Sequence, residues 1–489
     1  MGLGRAERSV GRRRARALAV LLVLATTAGA CGSRLPDDVL AEIDGDRASS
    51  DREDGSGDDG GDGDGGTDGI AIGVDDATTG GATTDGGTGG TGGSGGASGT
   101  AGGTTGGGGG SCRGGASDQG VTATEIKVGS IVTASGPLPG ATEGSYRGAQ
   151  AYLAKVNAAG GVCGRKITLL KGDDGLDPQR ARGEFLRLEP QVFAMVGGFS
   201  VADSGYGDLV QSTGVPYLGT MVDPAGRTAT VYPKTPSGVV HTGPYQYYRN
   251  EYPDATRLAF LWADVGGVRA NTPTGREALK RVGFQVVHDS GLSAISPDFT
   301  SDVIAMRDQR AQAVYLFAFE VNMHVRLARN MRQQNFEPPL KISQIGYNSR
   351  LTELLGDIAN GWTNHIDYLP MLNEDEPGRS PALADFIQWH ERVAPGASID
   401  LFPVSGWGAA ALFVEALRAV GPDVTRERLL AALDAITTYD GGDIHAPLNP
   451  KTGATEGCFV IVRVESRKWV REHPSSGYEC GLGEPYKYE

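Results

Sequence analysis

The chain has 489 residues, a formal net charge of −14 and 39% hydrophobic residues. It is long enough for more than one hydrophobic core, and its acidic balance gives no support to nucleic-acid binding. Its 7 histidines fall in no H-E-x-x-H or similar spacing, so no metallohydrolase motif is present.

The N-terminus reads as an export signal. Arg12 to Arg16 form a positive segment, residues 17–25 (ALAVLLVLA) form an apolar core, and small residues lead to Cys31. That core is far shorter than the roughly 18 residues of a membrane span. The arginines also fit a twin-arginine signal, without that motif's other residues. Ala28-Gly29-Ala30-Cys31 resembles a bacterial lipobox, with Ala28 where Leu usually stands. The resemblance implies a signal peptide over 1–30 and a lipidated Cys31 that anchors an exported protein to the outer face of the cytoplasmic membrane. Ordinary signal cleavage that leaves Cys31 free is the alternative. A lone thiol in an oxidising compartment is a liability, which favours lipidation.

Residues 31–118 form the next region, rich in Gly, Asp, Ser and Thr. So few apolar groups cannot offset backbone ordering at ~1–2 kcal/mol per residue, so a disordered tether with a reach of ~50 Å is expected. Gly60 to Asp68 (GGDGDGGTD) looks like one calcium-binding nonapeptide repeat. Such repeats work stacked, and a single copy reads as acidic linker.

From Val121 onward, β-prone runs alternate with amphipathic helices. A strand is expected over 125–132, a helix ending at Asn157, a strand from Lys166, a helix over 182–189, and strands at 192–198 and 215–220. After Tyr252 a second series begins. It has strands at 257–264, 284–291 and 313–320, with helices near 275–282 and 299–307. Regular βαβ alternation predicts an α/β chain with parallel sheets, and two series predict two doubly wound lobes. A ligand would then sit outside the carboxyl ends of the strands. Catalytic signatures are missing: GGFSV around Ser200 is not G-x-S-x-G, and there is no Walker A sequence.

Several stretches, in order, carry a family resemblance. These are Ser135-Gly136-Pro137, Gly148-Ala149, Asn157-Ala-Ala-Gly-Gly, Gly164-Arg-Lys, Asp173-Asp174, Asp177-Pro178, then GGFSVADSGYGDLVQSTGVPYLGT, AVYLFAFE and GWGAAALFVEALRAVG. Together they resemble the type 1 periplasmic binding proteins, in the Leu/Ile/Val-binding-protein-like branch that feeds ABC importers. The resemblance runs over roughly 121–470. It implies a Venus-flytrap fold with three crossover segments. Lobe 1 would use about 119–242 and 368–425, and lobe 2 about 243–367 and 426–475, with a tail at 476–489. It implies a monomer without cofactor that captures a small polar molecule, such as an amino acid or amide. Delivery would be to the permease and ATPase subunits of an ABC importer. A sensor subunit acting with a membrane partner is the alternative.

The same resemblance assigns ligand contacts. In the family's amino-acid binders, hydroxyls and main-chain amides after the third and fourth strands hold the ligand carboxylate, which places Ser200, Thr220 and Asp223 at the site. Ser200 also fits a helix cap, and Asp223 a turn residue before Pro224. Phe319, Gln344 and Tyr347 would complete the site from lobe 2. Gln344 stands where an acidic residue grips a ligand ammonium, and Ala141 where an aromatic is common, so a branched-chain amino acid is not assigned. With Cys31 on the lipid, Cys112, Cys163, Cys458 and Cys480 allow three disulfide pairings. Cys112–Cys163 and Cys458–Cys480 are expected, because a Cys163–Cys458 bridge would tie lobe to lobe.

Overall fold

The run EIKVGSIV forms β1 (Glu125–Val132), and Ile126, Val128, Ile131 and Val132 are fully buried. Burial on both faces is what a central parallel strand requires. β1 pairs in parallel with β2 (Lys166–Asp173) on one side and β3 (Ala194–Ser200) on the other. β4 (Tyr217–Met221) and β5 (Val231–Tyr232) complete a sheet of order β2-β1-β3-β4-β5. The computed structural model describes residues 115, 117–233, 239–373, 376–483 and 485–487. The predicted signal peptide, Cys31, Cys112 and nearly all of the tether lie outside the described residues.

Between β1 and β2 runs α1 (Glu143–Ala158), which ends in the turn NAAGGVCGRK. The Asn157 amide closes that turn: its nitrogen donates to the Ile167 carbonyl and its oxygen accepts from the Ile167 N–H, both at 2.8 Å. Cys163 has φ 49 in this turn and is disulfide-bonded. Helix α2 (Pro178–Leu188) starts as Asp-Pro dictates, with the Asp177 carboxylate accepting from the Arg180 N–H at 2.8 Å and proline in the first turn. α3 (Gly207–Thr213) links β3 to β4.

The chain crosses over through β6 (Val239–His241) and α4 (Gly243–Glu251) into a second sheet. Its strands are β7 (Arg257–Ala263), β8 (Gln285–Leu292), β9 (Ala313–Phe317), β10 (Leu340–Ser343) and β11 (Trp362–Ile366), all parallel. Helices α5 (Gly266–Arg281), α6 (Thr300–Asp308), α7 (Val321–Gln333) and α8 (Ser349–Leu355) alternate with them. Past β11 come α9 (Glu376–Arg379), α10 (Pro381–Val393), α11 (Leu401–Val420) and α12 (Arg426–Ala435). α11 packs on α1 at a crossing held close by glycines. A Cβ on Gly148 would stand 1.8 Å from the Pro403 carbonyl oxygen, and one on Gly406 would stand 1.8 Å from that of Ser145.

Two features depart from the sequence reading. The second sheet gains β12 (Val460–Glu465) and β13 (Lys468–His473), both antiparallel, so it is mixed rather than wholly parallel. Their turn, Ser466-Arg467, has φ 49 and φ 67, the backbone of a tight hairpin. In addition, Leu429 and Leu433 of α12 lie in the core with Phe193 and Phe413 beneath the first sheet, whereas residues from 426 were expected in lobe 2. Cys458 and Cys480 are disulfide-bonded, and the tail beyond them forms β14 (Pro485–Lys487) against β6.

Candidate functional site

A cavity of about 570 Å³ opens at the carboxyl ends of both sheets. Its wall takes Phe199 and Val201 from the end of β3 and the residue after it, and Thr220, Met221 and Val222 from the end of β4 and the residue after it. Ala263 comes from β7, Phe317 and Ala318 from β9, and Gln344 from just after β10. This is where open α/β sheets bind ligands. The surface is largely apolar: Leu138, Leu401 and Phe402 close one side, and Val265 and Val268 the other. The Phe199 and Phe402 rings meet edge to face, 5.0 Å between centres.

A second chamber of about 520 Å³ shares His241, Tyr245, Gln344 and Asp367 with the first, so the two are continuous. It adds His365 and Tyr368 and runs to Gly457 and Phe459 beside the disulfide. The Nδ1 of His365 has no hydrogen-bond partner, and its ring lies among Tyr245, Tyr248 and Tyr315. Burial pushes the His365 imidazole down to about 4 and also lowers that of His241, so both rings are neutral near pH 7.

The sequence-predicted contacts divide between wall and second layer. Thr220 and Gln344 line the cavity. Ser200 does not: it is fully buried, its hydroxyl donates to Asp174, and its oxygen accepts from the Ala202 N–H at 3.0 Å. Asp223 occupies the turn position, its carboxylate accepting from the Ala225 N–H at 2.9 Å. Phe319 is fully buried and faces Phe299, 6.4 Å away between centres, while Ala318 and Glu320 beside it reach the wall. The Tyr347 hydroxyl accepts from the Leu372 N–H at 2.6 Å, and its ring packs on Trp469 behind the site.

Main-chain amides that would hold a ligand carboxylate are taken by the protein's own carboxylates. Asp203, fully buried, accepts from the N–H groups of Val222 and Asp223 at the end of β4. Burial pushes its carboxyl up to about 7 against the pull of those two amides. Glu320 caps α7, accepting from Asn322 at 2.8 Å and Met323 at 2.6 Å. Asp173 accepts from the N–H groups of Ala134, Ser135 and Gly175 after β1 and β2. Burial opposes its ionisation, but the Ser135 hydroxyl and those amides outweigh it and hold the carboxyl at about 2.

Sequence reasoning missed Phe199, His241, His365 and Asp367. For Phe199 a signal existed. Strand alternation puts Phe199 and Val201 on the face opposite Ser200, so a buried Ser200 implies an aromatic at the wall.

The model of a family described as "Periplasmic binding protein" matches residues 125–468. "Leu/Ile/Val-binding protein homolog 7" of Brucella abortus is 39% identical over 109 residues, which span 21% of this chain and only 26% of that protein. "Leu/Ile/Val-binding protein homolog 8" of the same organism is 26% identical over 345 residues, 65% of this chain and 82% of that protein. Among solved structures, a fatty acid ABC transporter substrate-binding protein from Thermomonospora curvata superposes with a TM-score of 0.59 at 19% identity. That match covers 76% of this chain and 95% of that one.

Proposed function

The chain belongs to the periplasmic binding protein family, in the branch of the Leu/Ile/Val-binding proteins, and from that premise we propose that it captures a small molecule between its two lobes and delivers it to an ABC importer. Proteins of this family bind solutes and are not enzymes. The single observation that carries the reading is the cavity of about 570 Å³ at the carboxyl ends of both sheets. Ligand-dependent closure follows from differential contact. A molecule that touches Phe199 on one side and Phe317 on the other favours the state in which both walls reach it.

The small polar ligand expected from the sequence does not suit this wall. Its groups are mainly hydrocarbon, and burying an amide there without partners costs roughly 2–7 kcal/mol, a zwitterion far more. The ligand in this proposal therefore has an apolar body. Permease and ATPase subunits would be the partners, and Cys31 the lipid anchor that keeps the protein at the membrane. No helix among the described residues is long and apolar enough to cross a membrane.

The test is a thermal-shift panel of amino acids, amides, fatty acids and alcohols, followed by small-angle scattering with the hit. A ligand that raises the melting temperature and reduces the radius of gyration supports the proposal. A chain that neither binds nor closes on any of them sinks it. Uptake of the labelled hit by cells lacking the protein separates transport, where uptake falls, from sensing, where it does not.

A further inference from the structure

We propose that the ligand of this cleft is an amphiphile with a hydrocarbon body and a hydrogen-bond-donating head, a hydroxyl or an amine, and that it is neither an amino acid nor another carboxylate. The inference rests on the solute-binding reading above and narrows it.

Consider first where a carboxylate would go. It needs convergent N–H groups, a hydroxyl or a cation. The amides after β4 are held by Asp203, the Ser200 hydroxyl by Asp174, and the first amides of α7 by Glu320, so of the strand-end donors assigned above the Thr220 hydroxyl alone faces the cavity, without a second donor converging on it. Among the described residues Arg227 is the lysine or arginine on either chamber wall. Its guanidinium donates to the carbonyls of Met221 and Val222 and to the Asn271 side chain. An incoming carboxylate would have to expel a resident one or stand beside it, and like charges at that distance repel.

The second chamber asks for the opposite chemistry. Asp367 is exposed to it and, when ionised, can only accept. The neutral His365 ring borders the same chamber, with its unpartnered Nδ1 turned into the tyrosine cluster. The Gln344 oxygen already accepts from the Ala318 N–H at 3.0 Å, which leaves its amide NH2 to donate to a ligand oxygen. A hydroxyl donates to Asp367 while accepting from Gln344. An ammonium pairs with Asp367. The hydrocarbon body then lies in the first chamber against Phe199, Phe402 and Leu138, removed from water.

Octanol, octylamine and octanoate share one tail and differ only in the head. Titration calorimetry of the whole chain with these three and with leucine tests the proposal. Octanol or octylamine is expected to bind about tenfold or more tighter than octanoate. Asp367→Asn should shrink that gap to about threefold or less, and Asp367→Glu should restore it. Ala141→Trp, on the loop at the cavity mouth, should abolish all binding while the melting temperature holds. Octanoate binding as tightly as octanol and octylamine overturns the proposal, as does an absence of binding by all three. Tight binding of leucine overturns it too, but leaves the solute-binding reading standing.

Discussion

At the end of β3, adjacent residues belong to two regions that treat polar groups in opposite ways. Ser200 points into a layer where each hydroxyl and amide discussed has a partner: Asp174 on Ser200, Asp203 on the Val222 and Asp223 amides, Glu320 on α7. Phe199 and Val201 point the other way, into a hydrocarbon chamber that runs on to His365 and Asp367. The difference teaches that the loops which give this scaffold its anion-binding potential are here used internally. They tie strand ends together, and recognition moves to the apolar wall and the second chamber.

The sharpest way to break this contrast is Asp203→Ala. It strips two half-buried amides of their acceptor, and about 3 kcal/mol of stability should go, read as a lower urea midpoint. A loss near zero would mean that the layer is not held by its carboxylates. Next in size is Cys458→Ser with Cys480→Ser, which opens a loop with a sequence separation of 22. The chain-entropy model gives ~3 kcal/mol. Since the tail beyond Cys480 pairs β14 with β6, amide exchange at residues 239–241 should quicken in the same variant.

A third prediction concerns pH. The folded carboxyl of Asp203 sits at about 7, above its ordinary 3.8. Between these values the folded state holds a proton that the unfolded chain has released. Its contribution is therefore fully present below about 4 and declines by up to ~1.4 kcal/mol per pH unit as pH rises to about 7. Asp203→Asn keeps an acceptor and removes the proton, so the melting temperature should depend less on pH between about 4 and 7. An unchanged slope would assign the pH dependence elsewhere. The smallest effect comes from Ser200→Ala, which should cost about 1 kcal/mol of stability and leave ligand affinity within about twofold. Phe199→Ala, one residue away, should weaken binding by about tenfold or more. If the two results were exchanged, the assignment of layer and wall would be reversed.

Much of the scaffold is legible in the sequence because its signals are local. Strand and helix alternate at their own periods, Asp177-Pro178 caps α2, and Asn157 with the following glycines closes the turn before β2. The run CFVIVRV from Cys458 reads as the strand that becomes β12, but the return through β13 is less visible, since the turn residues are Ser466 and Arg467 rather than glycine or asparagine. For the site, local signals locate the strand ends but not the direction of side chains. Ser200, Phe319 and Tyr347 each lie one layer behind the wall. Asp203 reaches amides 19 and 20 residues ahead, a contact that depends on β3 and β4 being neighbours. Asp367 and His241 share a chamber only because β11 and β6 end at the same opening.

The most direct measurement is a crystal structure of the chain bound to the tightest member of the octanol series. The account predicts a ligand body within van der Waals reach of Phe199 and Phe402, a head beside Asp367, and Asp203 still on the amides of Val222 and Asp223. A ligand carboxylate seated on those amides, with Asp203 displaced, would contradict it.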